Sequence, residues 1–435
     1  DFYYKDTLLL ANKPAVPDAA HIVFGLQKNI VKHLVKKDTL FKGGKDSTGK
    51  EITYALTDDI VVNTATVNSI QSQQIHPVSG DLIASLVAAS EDGQGSDIKA
   101  VDKSWFTFGD INKSKIAQPG FAIASNLLFL KEGARTNIIA VRFSEKLEGL
   151  TPNLKTPFHW FKGRLTAEKG WHEIPGIDLF LAGTSGSVNT FLFRLRLSPD
   201  DPPVIPYAES VHKENFAAGL PVVQCILQQD ADNNLPYQFI AGKKIQSVTL
   251  SVTVNGVKDL ALSNDTGTLD AAKPFKPFGD FPDNAASFYI GSKEIFQKEL
   301  NWIDFNTEWE IKNGPGETQP SLSNARYLRQ SNWNTSYPVS TLNRLSFAVP
   351  GSFIKAKPDF TANEILNANT KEGFLRLQLQ SSAYSLFSHM TKIQSQLNSI
   401  TLTENDNKVT FSTGEQPPVP AEIFLNNFSI DYAAT

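Results

Sequence analysis

Apolar and polar residues alternate with a period of two along much of this chain, the pattern of strands that bury one face. The clearest stretch is Lys244–Leu262, where Val248, Leu250, Val252 and Val254 alternate with Thr249, Ser251 and Thr253. Asn255-Gly256 follows and Val257–Leu262 returns, which predicts a tight hairpin closed by a type I′ turn. Phe191, Phe193, Leu195 and Leu197 share a face opposite Leu192, Arg194 and Arg196; Leu375, Leu377 and Leu379 share one opposite Phe374, Arg376 and Gln378. Further strands are predicted at Ala20–Leu26, Thr39–Gly43, Glu51–Leu56, Asp59–Val67, Asn137–Phe143, Asp178–Ala182, Val222–Leu227, Arg344–Val349, Lys408–Ser412 and Ile423–Tyr432. Helical spacing is found at Leu386, Met390, Ile393 and Leu397, and Asp81–Ala89 reads as a second, short helix.

Three segments break this pattern. Glu91–Asp97 is a polar, glycine-rich loop, and Ser198–Pro203 a proline-stiffened corner. Lys273–Pro282 interleaves phenylalanine with proline, so neither a helix nor a central strand can persist there. The resulting expectation is a mainly β chain of serial β-sandwich-like modules with a few short helices and long loops. Their expected extents are 1–125, interrupted near 91–97, then 126–280, then 281–435 with one helix near 382–398.

Composition narrows the function. With 435 residues, 41% hydrophobic and 20% charged, the chain can fill two or three cores. A net charge of −4 offers no basic field for a phosphate backbone, so no nucleic-acid partner is expected. The longest apolar runs, Ile22–Leu26 and Thr190–Leu197, fall short of the roughly 20 residues that cross a bilayer, so no direct membrane span is expected. Cys225 stands alone, which excludes an intramolecular disulfide and a thiolate zinc cluster. The chain opens on Asp1 and its one methionine is Met390, so it reads as an interior piece of a longer protein.

Several stretches approach catalytic motifs without completing them. Gly44–Lys50 nearly spells a phosphate-binding loop, but Glu51 stands where the magnesium-binding hydroxyl belongs and a strand follows instead of a helix. Gly183–Ser187 lacks the closing glycine of a nucleophile elbow. The seven histidines, His21, His33, His76, His159, His172, His212 and His389, show no paired ligand spacing; His172 beside Glu173 reads as an ion pair at a strand end. Trp302–Glu310 sets carboxylates among aromatics as a sugar-binding cleft would, yet along a strand Asp304, Glu308 and Glu310 share a face with Trp302, which reads as an edge strand. No catalytic, cofactor-binding or metal-binding residue is assigned, and the chain is read as a non-enzyme. Loop aromatics, Phe158, Trp160 and Phe161 in one segment and Phe275, Phe278 and Phe281 in another, point to surfaces buried by other subunits.

Ser263–Gly267, then Lys273–Pro282, then Ser287-Phe288-Tyr289-Ile290-Gly291-Ser292 with Phe296 and Leu300 behind, form a distinctive string. It resembles the baseplate wedge (baseplate J-like) proteins of extracellular, phage-tail-like contractile injection systems, the antifeeding-prophage-like and virulence-cassette-like particles. Asp1–Asp6, Pro17–His21, Gly43–Lys50, Leu130–Arg135, Glu168–Trp171, Gly219–Val222, Gly373–Leu377 and Phe428–Tyr432 agree in order, so the resemblance spans the chain. Asp280 stands where the family pattern has proline, and Ser382–Ser385 where it has an Asp-Phe-Gly-His-like stretch.

The resemblance implies a structural wedge subunit that links hub, tube and sheath and relays the contraction trigger. Its implied partners are other wedge subunits, the hub or spike, and the sheath and tube proteins, in a sixfold ring. It implies assembly in the bacterial cytoplasm, then a place in an extracellular or membrane-associated particle. It brings no cofactor and no catalytic residue. A secreted carbohydrate-binding or carbohydrate-active β-sandwich protein is the alternative.

Overall fold

The computed structural model describes residues 3–8, 16–65, 70–75, 82–88, 115–117, 119–184, 186–214, 216–217, 219–228, 236–314, 316, 318–338, 344–346, 366–399, 401–405, 408–412, 416 and 418–435. The chain is mainly β, with several antiparallel sheets and a few short helices. It divides into two units, Asp1–Ala117 and Gln118–Thr435.

In the N-terminal unit, Lys32–Val35 pairs with Ile60–Asn63, and Leu40–Lys45 with Glu51–Ala55. Ile70–Ile75, Leu82–Ala88 and Lys115–Ile116 form a three-stranded sheet. The helix expected at Asp81–Ala89 is therefore a strand. Its apolar run carries no decisive periodicity, and pairing with Ile70–Ile75 on one side and Lys115–Ile116 on the other decides its conformation. Ala20–Leu26 forms no strand. Its side chains are exposed or half-buried, so alternation there meets no core to favour one face.

The second unit holds a ten-stranded antiparallel sheet. Its spatial order is Arg344–Ser346, Leu300–Lys312, Glu422–Ala434, Ile245–Val257, Ala134–Leu147, Ser187–Leu197, Gly170–Thr184, Asn153–Ala167, Val222–Leu227, Gly120–Ala124. Period-two burial follows the sequence: Phe191, Phe193, Leu195 and Leu197 are buried opposite the more exposed Leu192, Arg194 and Arg196. Each such side chain withdrawn from water stabilises the fold by about 1.5–3 kcal/mol. A six-stranded sheet, ordered Gly267–Leu269, Ala261–Asn264, Ser287–Gly291, Phe374–Gln378, Asn324–Arg329, Asn332–Pro338, shares the same core. The two sheets meet where Phe288 lies 5.7 Å from Phe428, with Phe275 against both rings. The large sheet crosses the phenylalanine-proline segment, since Ile245–Val257 and Leu300–Lys312 both pair with Glu422–Ala434.

The hairpin expected at Asn255-Gly256 is not formed. The strand continues through Asn255, which pairs with Ala134, to Val257, which pairs with Ile430. Gly256, at φ +82°, supports a bulge against the C-terminal strand, and its N–H donates to Asp431 Oδ1 at 2.6 Å. Asn-Gly specifies a positive φ, which a bulge uses as well as a turn. The tight turn lies later, at Asp265-Thr266, where Asn264 Oδ1 accepts hydrogen bonds from Thr266 N, Thr266 Oγ1 and Gly267 N at 2.9, 2.7 and 3.0 Å.

Candidate functional site

The near-miss motifs resolve into turns and strand faces. Gly44–Lys50 joins two antiparallel strands, and its amides point inward: Thr48 N and Lys50 N donate to Asp46 Oδ1 at 2.8 and 2.9 Å. The Thr48 hydroxyl, then these amides, hold the Asp46 carboxyl below its ordinary pKa. A phosphate would have to displace a carboxylate of the loop itself. Within Gly183–Ser187, Thr184 pairs with Ser187, whose hydroxyl donates to the Thr184 carbonyl at 2.9 Å. His172 faces Asp201 at 3.5 Å rather than forming a pair with Glu173. Trp302, Asp304, Asn306 and Glu308 do share the outward face of their strand, while Ile303 and Phe305 are buried. Trp302–Asp304 pair on both sides, with Arg344–Ser346 and with the C-terminal strand, so this stretch is not an edge. Cys225 is buried and its thiol is pushed up to about 12 by burial. Among the described residues no three His, Cys, Asp or Glu side chains are grouped as metal ligands, and no helix is long and apolar enough to cross a membrane. His76 lies outside the described residues.

A buried polar cluster in the second unit was not anticipated. Arg135, inward-facing on Ala134–Leu147, donates through Nε to Gly133 O at 3.1 Å and through Nη1 to Pro202 O at 3.0 Å. Its Nη2 reaches Ser198 O at 2.6 Å and Asp201 O at 2.7 Å. One guanidinium thus fastens the Ser198–Pro203 corner to the large sheet. Burial draws its pKa below the ordinary arginine value, with Glu294, Asp201 and Glu132 opposing.

Glu294 and Lys298 complete the cluster. Ser292 caps the short helix Lys293–Phe296, its hydroxyl accepting from Ile295 N at 3.2 Å, which turns Glu294 inward. Glu294 Oε2 accepts from Lys131 N at 2.7 Å, and Oε1 accepts from the Tyr432 hydroxyl at 2.8 Å. Lys298 Nζ donates to Phe129 O at 2.7 Å and to the Tyr432 hydroxyl at 2.6 Å. Burial raises the Glu294 pKa and lowers that of Lys298 to about 8. The network ties four chain segments together. A periodic apolar pattern cannot reveal it, because its charged residues occupy core positions.

The loop aromatics divide. Trp160, Phe161, Phe275 and Phe278 are buried in the core and Phe158 is half-buried, so the expectation that these face other subunits is corrected. Proline-flanked rings enter this core because Phe275 N and O both bond to Leu425, bringing the segment against the large sheet. Phe281 is different: it is 37% exposed, adopts φ +50°, and lies 5.8 Å from His389 on the helix Leu386–Leu397. That helix buries none of its residues, and Leu386, Phe387, Met390 and Leu397 are all exposed, Phe387 to 82%. Beside it, Lys276, Gly279, Asp280, Phe281, Pro420, Ala421 and Glu422 line a cleft of about 60 Å³. Substrate pockets are several-fold larger. This end of the second unit presents exposed apolar surface.

The comparison with known families agrees in kind. The model of the family described as Baseplate protein PVC11-like matches residues 1–310. The chain belongs to this baseplate protein family. Its structural role in the baseplate of a phage-tail-like particle follows, as does assembly with other components of that particle. No curated protein matches the chain. The matched residues include Arg135, Glu294 and Lys298, whereas Tyr432 and the C-terminal strand lie beyond them.

Proposed function

We propose that this baseplate protein is a wedge subunit of a contractile injection system, without enzymatic activity, that links hub, tube and sheath and relays the contraction trigger. The observation that carries this reading is the apolar exposure of the N-terminal unit. In it Val16, Leu34, Leu40, Ile60 and Val61 are exposed, Leu40 to 69%. Its Lys32–Val35/Ile60–Asn63 and Leu40–Lys45/Glu51–Ala55 pairs are two-stranded, and two-stranded ribbons are marginal in water. Such a unit gains its stability by burying those side chains against neighbours, as obligate assemblies do. In a sixfold ring each of these contacts recurs, so modest individual contacts sum to a rigid plate. The subunit would assemble in the bacterial cytoplasm and leave it as part of an extracellular or membrane-associated particle.

The test is to tag this chain within its own gene neighbourhood and purify what it holds. The expected result is co-purification of sheath, tube and spike proteins, with gold label on the tag at the plate end of the particle. Recovery of the chain alone, or label spread along the sheath, contradicts the proposal.

A further inference from the structure

The outer face of the six-stranded sheet carries a feature the core does not need. Tyr289, Arg376 and Arg326 lie opposite one another across three neighbouring strands, so their side chains share one face in a single row. All three are half-buried. The Arg376 guanidinium carbon sits 4.8 Å from the centre of the Trp333 ring, and Trp333 lies 5.6 Å from Tyr289. Two arginines directly opposite on adjacent strands repel each other, a cost that sheets ordinarily avoid. Among the described residues neither forms an ion pair, and Arg376 Nε is buried without an acceptor. Asp265, which reaches this row, is occupied: its Oδ1 accepts from the Tyr289 hydroxyl at 2.9 Å, and Oδ2 from Ser287 N at 2.7 Å.

We propose that this row docks an acidic segment of a neighbouring protein, with the Arg326–Arg376 pair receiving carboxylates and Trp333 and Tyr289 forming an aromatic wall beside them. Charge complementarity argues for that occupant, since two adjacent guanidiniums that meet no acid among the described residues are satisfied by carboxylates in forked geometry. Stacking on Trp333 fixes the fork of Arg376 in advance, which lowers the ordering cost of docking. A chain of net charge −4 that sets two cations side by side on one sheet face, with no ion pair among the described residues, concentrates its attraction there. The inference rests on the baseplate reading for its class of partner, a protein.

The test labels the full chain with fluorotryptophan and follows the six tryptophan resonances by fluorine NMR, Trp333 being assigned from Trp333→Phe. The probes are acetylated hexaglutamate, hexalysine and tripolyphosphate. Hexaglutamate is expected to shift the Trp333 resonance saturably and hexalysine to leave it in place. In R326Q/R376Q the response should weaken by about tenfold or more with the other resonances unmoved. R326K/R376K, which keeps the charge and removes the fork, should fall between, and it carries the comparison if the glutamine variant moves the other resonances. No Trp333 shift at millimolar hexaglutamate, an undiminished shift in both double variants, or a response to tripolyphosphate alone overturns the inference. A chain that fails here yet co-purifies with sheath and tube rejects this docking face and leaves the baseplate reading standing.

Discussion

Lys298 Nζ lies 2.6 Å from the hydroxyl oxygen of Tyr432, 134 positions further along the chain. The same hydroxyl donates to Glu294 Oε1, so one phenol joins a buried cation and a buried carboxylate to the C-terminal strand. The cluster makes the second unit's fold depend on its last strand, which the family model does not reach.

Removing one charge of this cluster should cost more than removing both. Lys298→Met leaves Glu294 buried without its cation and is expected to destabilise the second unit by about 3–5 kcal/mol. Glu294→Gln combined with Lys298→Met should recover part of that loss. Urea unfolding followed by tryptophan fluorescence checks the order; a double variant less stable than Lys298→Met contradicts it.

Alkaline pH gives a second signature. Lys298 titrates at about 8 when folded against an ordinary 10.5, so between these values the unfolded chain binds a proton that the folded chain has released. This group's contribution to stability therefore increases as pH rises through that window, and is lost as pH falls through about 8. The stability difference between the wild type and Lys298→Met should grow from pH 8 to 10.5, measured by chemical denaturation at each pH. A difference that stays flat would place the ammonium in a solvated setting.

Phe278 and Phe281 are three residues apart and should respond oppositely to the same change. Phe278 is 5% exposed and its ring lies 6.4 Å from Phe288, so Phe278→Asp puts a carboxylate in the core at a cost of at least about 3 kcal/mol. Phe281 is partly exposed at φ +50°, a conformation that aspartate tolerates better than most residues, so Phe281→Asp should stay within about 1 kcal/mol of wild type. Thermal melts of the two variants decide it. Equal losses would contradict the division between core and surface rings.

Gly256→Val should cost about 1–3 kcal/mol although a Cβ there meets nothing within 4 Å, because the penalty is backbone strain at φ +82°. Gly256→Asn should cost less, since asparagine visits positive φ more readily. Equal melting temperatures for the two variants would show that the bulge relaxes.

The strand faces were legible because burial writes a period of two: Phe191–Leu197 falls as its alternation requires, and Leu375, Leu377 and Leu379 share a buried face, although Phe374 on the other face is buried as well. The helix at Leu386–Leu397 was legible from its apolar spacing and its cap, Ser385 Oγ accepting from Ser388 N at 3.2 Å, although none of its residues is buried. Asn255-Gly256 misled because local sequence sets φ, while the strands on either side decide between a turn and a bulge. Leu82–Ala88 misled because a short apolar run fits a helix or a strand until its partners are known. Arg135, Glu294, Lys298 and Tyr432 were hidden as a group, since they are far apart in sequence and each alone reads as a surface charge or an ordinary aromatic. Phe275 and Phe278 were read as surface for want of any local sign that Leu425 would draw their loop into the core.

The central claim, that this chain is a structural part of the baseplate, is tested most directly by imaging particles produced from the complete gene cluster and from one lacking this gene alone. The account predicts that the deletion yields no complete sheathed particles bearing a plate, and that supplying the chain from a plasmid restores them. Intact, contractile particles in normal yield without it would contradict the account.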